Sequence, residues 1–137
     1  MRTFNKKDVE LLAPAGNFSI LQDLLKTPCD AFYLGGKKFN MRLHRSSFNF
    51  TDKELKDAVE MIHEQGKKMY VTINNLMSEA EMAASLDYLY YVESLKPDGI
   101  ILQDFGILDL IRRKNIQLNM HTSVMVNVHN ADMIKKL

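Results

Sequence analysis

Apolar residues recur along the chain in two alternating rhythms: short runs of strand length, then segments with helical spacing, separated by Gly, Pro, Asn, Asp or Ser. Glu10-Leu-Leu-Ala-Pro-Ala-Gly16 shows the unit first, an apolar run stopped by Pro14 and Gly16 and followed directly by an amphipathic stretch. The same grammar returns near Asp30, Lys68, Asp98 and Gln117. It predicts strands over residues 9–13, 30–34, 68–74, 98–102 and 117–121, behind a polar lead-in over 1–8.

The intervening segments carry their own start and stop signals. Asn17 can cap a helix over 17–26 with Phe18, Leu21 and Leu25 on one stripe, and Pro28 ends it. Thr51 and Glu54 have capping-box spacing for a helix to about residue 65, with Leu55, Ala58, Val59 and Ile62 buried and Gly66 closing it in the left-handed conformation. Ser78 and Glu81 repeat that spacing before a long helix with Met82, Leu86, Leu89 and Val92 on its apolar side, stopped by Pro97. Asp104 is placed to cap a helix carrying Ile107, Leu108 and Ile111, and from about Val126 the pattern turns helical again.

Five strand and helix pairs in this order predict an α/β protein with a mainly parallel sheet, read as one unit over residues 1–137. Two architectures fit. One is a doubly wound five-stranded sheet, complete at this length. The other is a TIM-like (β/α) barrel, which typically needs about 250 residues and would here be partial, truncated after the fifth βα unit. In either case the loops at the carboxyl ends of the strands form the functional rim.

Composition narrows the function classes. Of 137 residues 46% are hydrophobic and 26% charged, ordinary for a globular domain, which argues against disorder. Eighteen basic and seventeen acidic side chains leave a net charge of +1, so any nucleic-acid site must be local. A single cysteine, Cys29, excludes an intrachain disulfide framework and a cysteine-ligated metal site, and fits a reducing cytoplasm. No run approaches the roughly 18 apolar residues of a membrane span, and residues 1–8 are unlike a secretory signal.

The longest connection, residues 35–50, carries Lys37, Lys38, Arg42, His44 and Arg45 and no acid as far as Asn49. It suits phosphate or carboxylate groups, or is a solvated loop. Phe39 and Phe48 are stacking platforms for bases or pins holding the loop on its own domain. Asn74 and Asn75 fall on the same predicted rim as substrate-binding candidates, and His121 and Ser123 as catalytic candidates, because a histidine beside hydroxyls can move protons or bind a polar substrate. A packed, hydrogen-bonded histidine is the alternative. Glu10, at the opposite end of the first strand, is expected in a structural ion pair, and Cys29 as a small buried side chain.

Several familiar arrangements are missing from the sequence. His63-Glu64 begins like a zinc-protease helix, but Lys67 stands where the second histidine ligand belongs. Gly35-Gly36-Lys37-Lys38 lacks the upstream glycine and the following Ser or Thr of a phosphate loop, and there is no Gly-x-Ser-x-Gly elbow. No metal site is predicted.

Together, Glu10-Leu-Leu-Ala-Pro-Ala-Gly16, Asp30-Ala-Phe-Tyr-Leu-Gly-Gly36, Asn49-Phe-Thr51, Gly66-Lys-Lys-Met-Tyr-Val-Thr-Ile-Asn74 and Asp98-Gly-Ile-Ile101 resemble the amino-terminal part of the collagenase-like peptidases of unassigned catalytic type. His121, Ser123 and Asn127 match that family's His-x-Ser-Thr-Gln-x-Asn pattern, while Val124 and Met125 replace its Thr and Gln. The resemblance implies the barrel, about five of eight units of it. It also implies a longer parent active in oxygen-independent hydroxylation of a tRNA wobble uridine, an rRNA cytidine or ubiquinone. Partners would then be tRNA or rRNA, and some members hold an iron–sulfur cluster on cysteines later than Leu137, so no cofactor is expected in this chain. A peptidase with catalytic groups beyond residue 137, or a non-enzymatic binding module, are the alternatives. A barrel cut after five units exposes strand edges and its inner face, so a homo-oligomer is expected.

Overall fold

The computed structural model describes residues 2–45 and 47–137. The stretch expected as a polar lead-in is instead an antiparallel hairpin, β1 (Arg2–Phe4) with β2 (Lys7–Val9). Its turn residues Asn5 and Lys6 both have positive φ, 50° and 62°, the geometry whose twist suits a two-residue hairpin. Because Val9 belongs to the hairpin, the first strand of the main sheet is β3 (Leu12–Pro14) rather than 9–13. Arg2 ties the hairpin to the sheet through Asp30, 3.3 Å away.

The main sheet continues with β4 (Ala31–Leu34), β5 (Lys68–Ile73), β6 (Gly99–Leu102) and β7 (Met120–Thr122), all parallel and in sequential order. Between and after them lie α1 (Phe18–Leu24), α2 (Asp52–Glu64), α3 (Glu79–Leu95), α4 (Phe105–Lys114), a 3-10 turn (Val124–Val126) and α5 (Ala131–Lys136). A doubly wound sheet requires a reversal of strand order, and this sheet has none. Right-handed crossovers that always step in one direction put their helices on one face, which makes the sheet a wall of a (β/α) barrel.

Strand register shows the two faces directly. Phe32 pairs with Met69; Leu34, Val71 and Ile100 form the next row; Ile73 and Leu102 follow. All seven are fully buried in the core with helix residues Leu21, Leu55, Ile62, Leu89 and Ile107. The alternating rows, Tyr33 with Tyr70 and Gly99, then Thr72 with Ile101 and His121, belong to the opposite face, which helices do not cover.

The predicted caps are in place. Thr51 with Glu54, and Ser78 with Glu81, each exchange both capping-box hydrogen bonds, and Asn17 accepts from Ile20 N–H at 2.9 Å. Gly66 has φ of 67°. The last strand begins later than expected, at Met120 instead of 117, because Ile116 and Leu118 are buried and Gln117 N–H donates to Glu93 Oε1 rather than to a ladder. No helix among the described residues is long and apolar enough to cross a membrane.

Candidate functional site

The uncovered face of the sheet holds a cleft of about 540 Å³, within the roughly 300–1,000 Å³ usual for small-ligand sites. Its floor is built from strand positions that alternate with the core. Tyr70 of β5 donates its hydroxyl to Glu10 Oε1 at 2.9 Å, and Lys68 donates to Glu10 Oε2 at 2.5 Å. Glu10 is therefore in the structural ion pair expected of it. Burial, followed by the Glu10 hydrogen bond and charge, pushes the Tyr70 phenol up to about 12. The Lys68 ammonium is also raised, first by its hydrogen bond to Glu10.

His121 of β7 leans across the sheet against Tyr70, ring centroids 5.2 Å apart and nearly perpendicular. Gly99 on the intervening strand makes this possible: a Cβ there would stand 2.9 Å from His121 Cδ2. Ser123 has a different role. Its N–H donates to Leu102 O at 2.7 Å, and its hydroxyl caps the 3-10 turn by accepting from Met125 N–H at 3.2 Å. His121 and Ser123 both line the cleft, and among the described residues no hydrogen bond joins their side chains.

The basic loop divides. Arg42 is half-buried and lines the cleft, its guanidinium 5.3 Å from the Tyr33 ring centroid and its Nη2 3.4 Å from the Tyr33 hydroxyl. Lys37, Lys38 and Arg45 are exposed and outside the cleft lining. Arg45 lies over Phe48, 5.6 Å from its centroid. Phe39 packs on Tyr88 at 5.5 Å, and Phe48 sits against Gly16, so both aromatics pin the loop. Asn74 lines the cleft and steadies the loop by accepting from Met41 N–H at 3.3 Å, whereas Asn75 lies outside the cleft. Asp104 caps α4 and also accepts from Met77 N–H at 3.0 Å.

The strand alternation that places Tyr33, Tyr70 and Glu10 inside the cleft was a signal available in the sequence, as was a glycine at the start of a strand. Their meeting with His121 depended on register, which periodicity does not give.

The model of peptidase family U32 matches residues 16–137. The chain belongs to peptidase family U32. Among U32 relatives it is 30% identical over 126 residues to a tRNA hydroxylation protein P of Haemophilus influenzae, covering 92% of this chain and 27% of that one. It is 28% identical over 131 residues to a collagenase of Porphyromonas gingivalis (96% and 31% covered). It is 27% identical over 135 residues to the 23S rRNA 5-hydroxycytidine C2501 synthase of Escherichia coli (98% and 20% covered). This U32 chain thus spans about three tenths or less of these relatives. A solved U32 peptidase structure shares the fold, with a TM-score of 0.62 at 16% identity over 90% of this chain and 52% of that one.

Proposed function

We propose that this protein acts in oxygen-independent hydroxylation of a pyrimidine in tRNA or rRNA, in the cytoplasm. The observation that carries the reading is Arg42 lining a cleft that contains His121, on a loop that is free of acidic residues and also carries Lys37, Lys38 and Arg45 outside the cleft. Cations on that rim suit phosphates, which dominate nucleic-acid affinity. The relatives named for tRNA hydroxylation and for 5-hydroxycytidine synthesis support it. An iron–sulfur cluster does not fit these residues. Such clusters take about four thiolates, and the one cysteine, Cys29, accepts a hydrogen bond from Thr27 at 3.1 Å beside the amino end of β4, away from the rim.

The test compares total RNA from cells with and without the gene by nucleoside mass spectrometry. Loss of a pyrimidine one oxygen heavier than its parent, restored by the wild-type gene, is the expected result. Unchanged nucleosides, together with hydrolysis of collagen or casein by the pure protein that is lost in His121→Ala, would establish a peptidase instead.

We also propose that the chain self-associates. Among the described residues no further strand pairs with the outer edges of β3 and β7, and Leu12, Val124 and Met125, which line the cleft, are exposed.

A further inference from the structure

We propose that the inner-face cleft receives one extruded nucleotide of the RNA, its base against Tyr70 and His121 and its phosphate on Arg42. The proposal rests on the RNA reading above and adds how the substrate enters. Three observations carry it.

Depth is the first. Tyr70 lies three residues before Ile73, the last residue of β5, which places Tyr70, the floor, roughly 10 Å below that strand's carboxyl end at the rise of a strand, while His121 stands one residue from the end of β7. A base that stays stacked in a helix cannot reach that floor, whereas one rotated out of the stack can. Extrusion costs a few kcal/mol and least for an unpaired base, so the cleft selects a loop or other single-stranded position.

The second observation is the distinct placement of Arg42. Its backbone is gripped from both sides: N–H donates to Asn40 Oδ1 at 2.8 Å, and the carbonyl accepts from Asn49 Nδ2 at 3.1 Å. Asn40 is itself only 3% exposed. The guanidinium is thereby set over Tyr33, and among the described residues it forms no ion pair with a carboxylate. Glu10, the one carboxylate in the cleft lining, is occupied by Lys68 and Tyr70. An unpaired, pre-oriented cation at the mouth of an otherwise neutralised cleft fits a phosphate entering with its nucleoside.

Third, the ring surfaces are allotted. Tyr33 is covered by Arg42, while Phe39 and Phe48 are used in holding the loop, which leaves Tyr70 and exposed His121 as the adjoining rings for a base. Asn74, whose Oδ1 is engaged with Met41, retains amide hydrogens that can donate to a pyrimidine carbonyl. Lys37, Lys38 and Arg45, outside the cleft, are left for the flanking backbone.

The experiment is a cycle between base and cleft. A hairpin RNA with a pyrimidine-rich loop is bound intact and with each loop position made abasic in turn, to the wild-type protein and to Tyr70→Leu and His121→Ala, with circular dichroism confirming that each variant is folded. The expected result is that one abasic position weakens wild-type binding roughly tenfold or more, the size of one base stacked on an aromatic side chain. That loss should disappear in a cleft variant whose salt dependence is unchanged. Arg42→Ala should lower the salt slope by about one phosphate contact even on the abasic RNA. Equal wild-type affinity for intact and abasic RNAs overturns extrusion and leaves RNA binding standing. No binding of any of the RNAs overturns both.

Discussion

Two glycines show how single atoms decide what this molecule tolerates. A Cβ at Gly36 would lie 2.3 Å from the Tyr88 hydroxyl and 3.1 Å from Leu55 Cδ1, both in the core. Gly36→Ala should therefore cost about 1–3 kcal/mol through overpacking, measured by urea denaturation. At Gly99 a Cβ would meet both the His121 ring at 2.9 Å and the backbone oxygen of Asn119 at 3.0 Å, so the same change there should displace the ring and also press on the β6–β7 ladder. Tyr70 supplies a pH signature. Its folded phenol titrates near 12, above the 10 of the unfolded chain, so its contribution is full below pH 10 and falls away between about 10 and 12 as the unfolded chain ionises first. Tyr70→Phe should flatten the decline of stability over that window, read from urea midpoints at several pH values. An unaltered decline would mean that the phenol is not held buried against Glu10 in solution. The candidate residues were only partly legible at this scale. His121 and Arg42 were identified as chemistry-bearing, but neither the glycine seat beneath His121 nor the difference between Arg42 and its neighbours Lys38 and Arg45 follows from spacing, since both arise from contacts across strands.

At the scale of elements, local signals read well where side chain and backbone agreed. The boxes at Thr51 and Ser78, the asparagine cap of α1 and the Gly66 terminator all act within a few residues of chain, so sequence contains them completely. Thr51→Ala and Ser78→Ala should each lower stability by about 1 kcal/mol, and the double variant by their sum, because they cap different helices. Urea denaturation of the three proteins checks this, and a double variant no worse than either single would show that one of the caps is not formed. The Ser78 box also holds the Glu81 carboxyl below its ordinary value, through the Ser78 backbone N–H first. That contribution is present above the unfolded pKa and is lost as pH falls through the folded one. The hairpin β1–β2 escaped notice for the opposite reason. All six strand residues are exposed, so no apolar alternation marks them, and the turn is Asn5-Lys6 where a glycine would have announced it. The late start of β7 was hidden too, because Ile116 and Leu118 look like strand residues while being buried outside the ladder.

For the molecule as a whole, the apolar pattern was sufficient to place the α/β class but left a barrel and a doubly wound sheet both open; the unreversed strand order decides for the barrel wall, and the family resemblance, which implied it, agreed with the matched U32 model over residues 16–137. With both strand edges open, sedimentation velocity at increasing concentration should show dimers or larger species, and salt should not dissociate them if the contacts are apolar. A concentration-independent monomer would mean that the edges and cleft are tolerated in water. The two-faced sheet has one more consequence, for genetics rather than biophysics. In a library of all single substitutions scored for protein abundance, Phe32, Leu34, Met69, Val71, Ile73, Ile100 and Leu102 should be intolerant, while the alternating positions Tyr33, Tyr70, Ile101 and His121 accept polar replacements. Scored instead for the modified nucleoside that the proposed function calls for, the same library should reverse phase on the second set. Two fitness maps of one sheet, offset by a single residue, would then separate what makes this protein persist from what makes it useful.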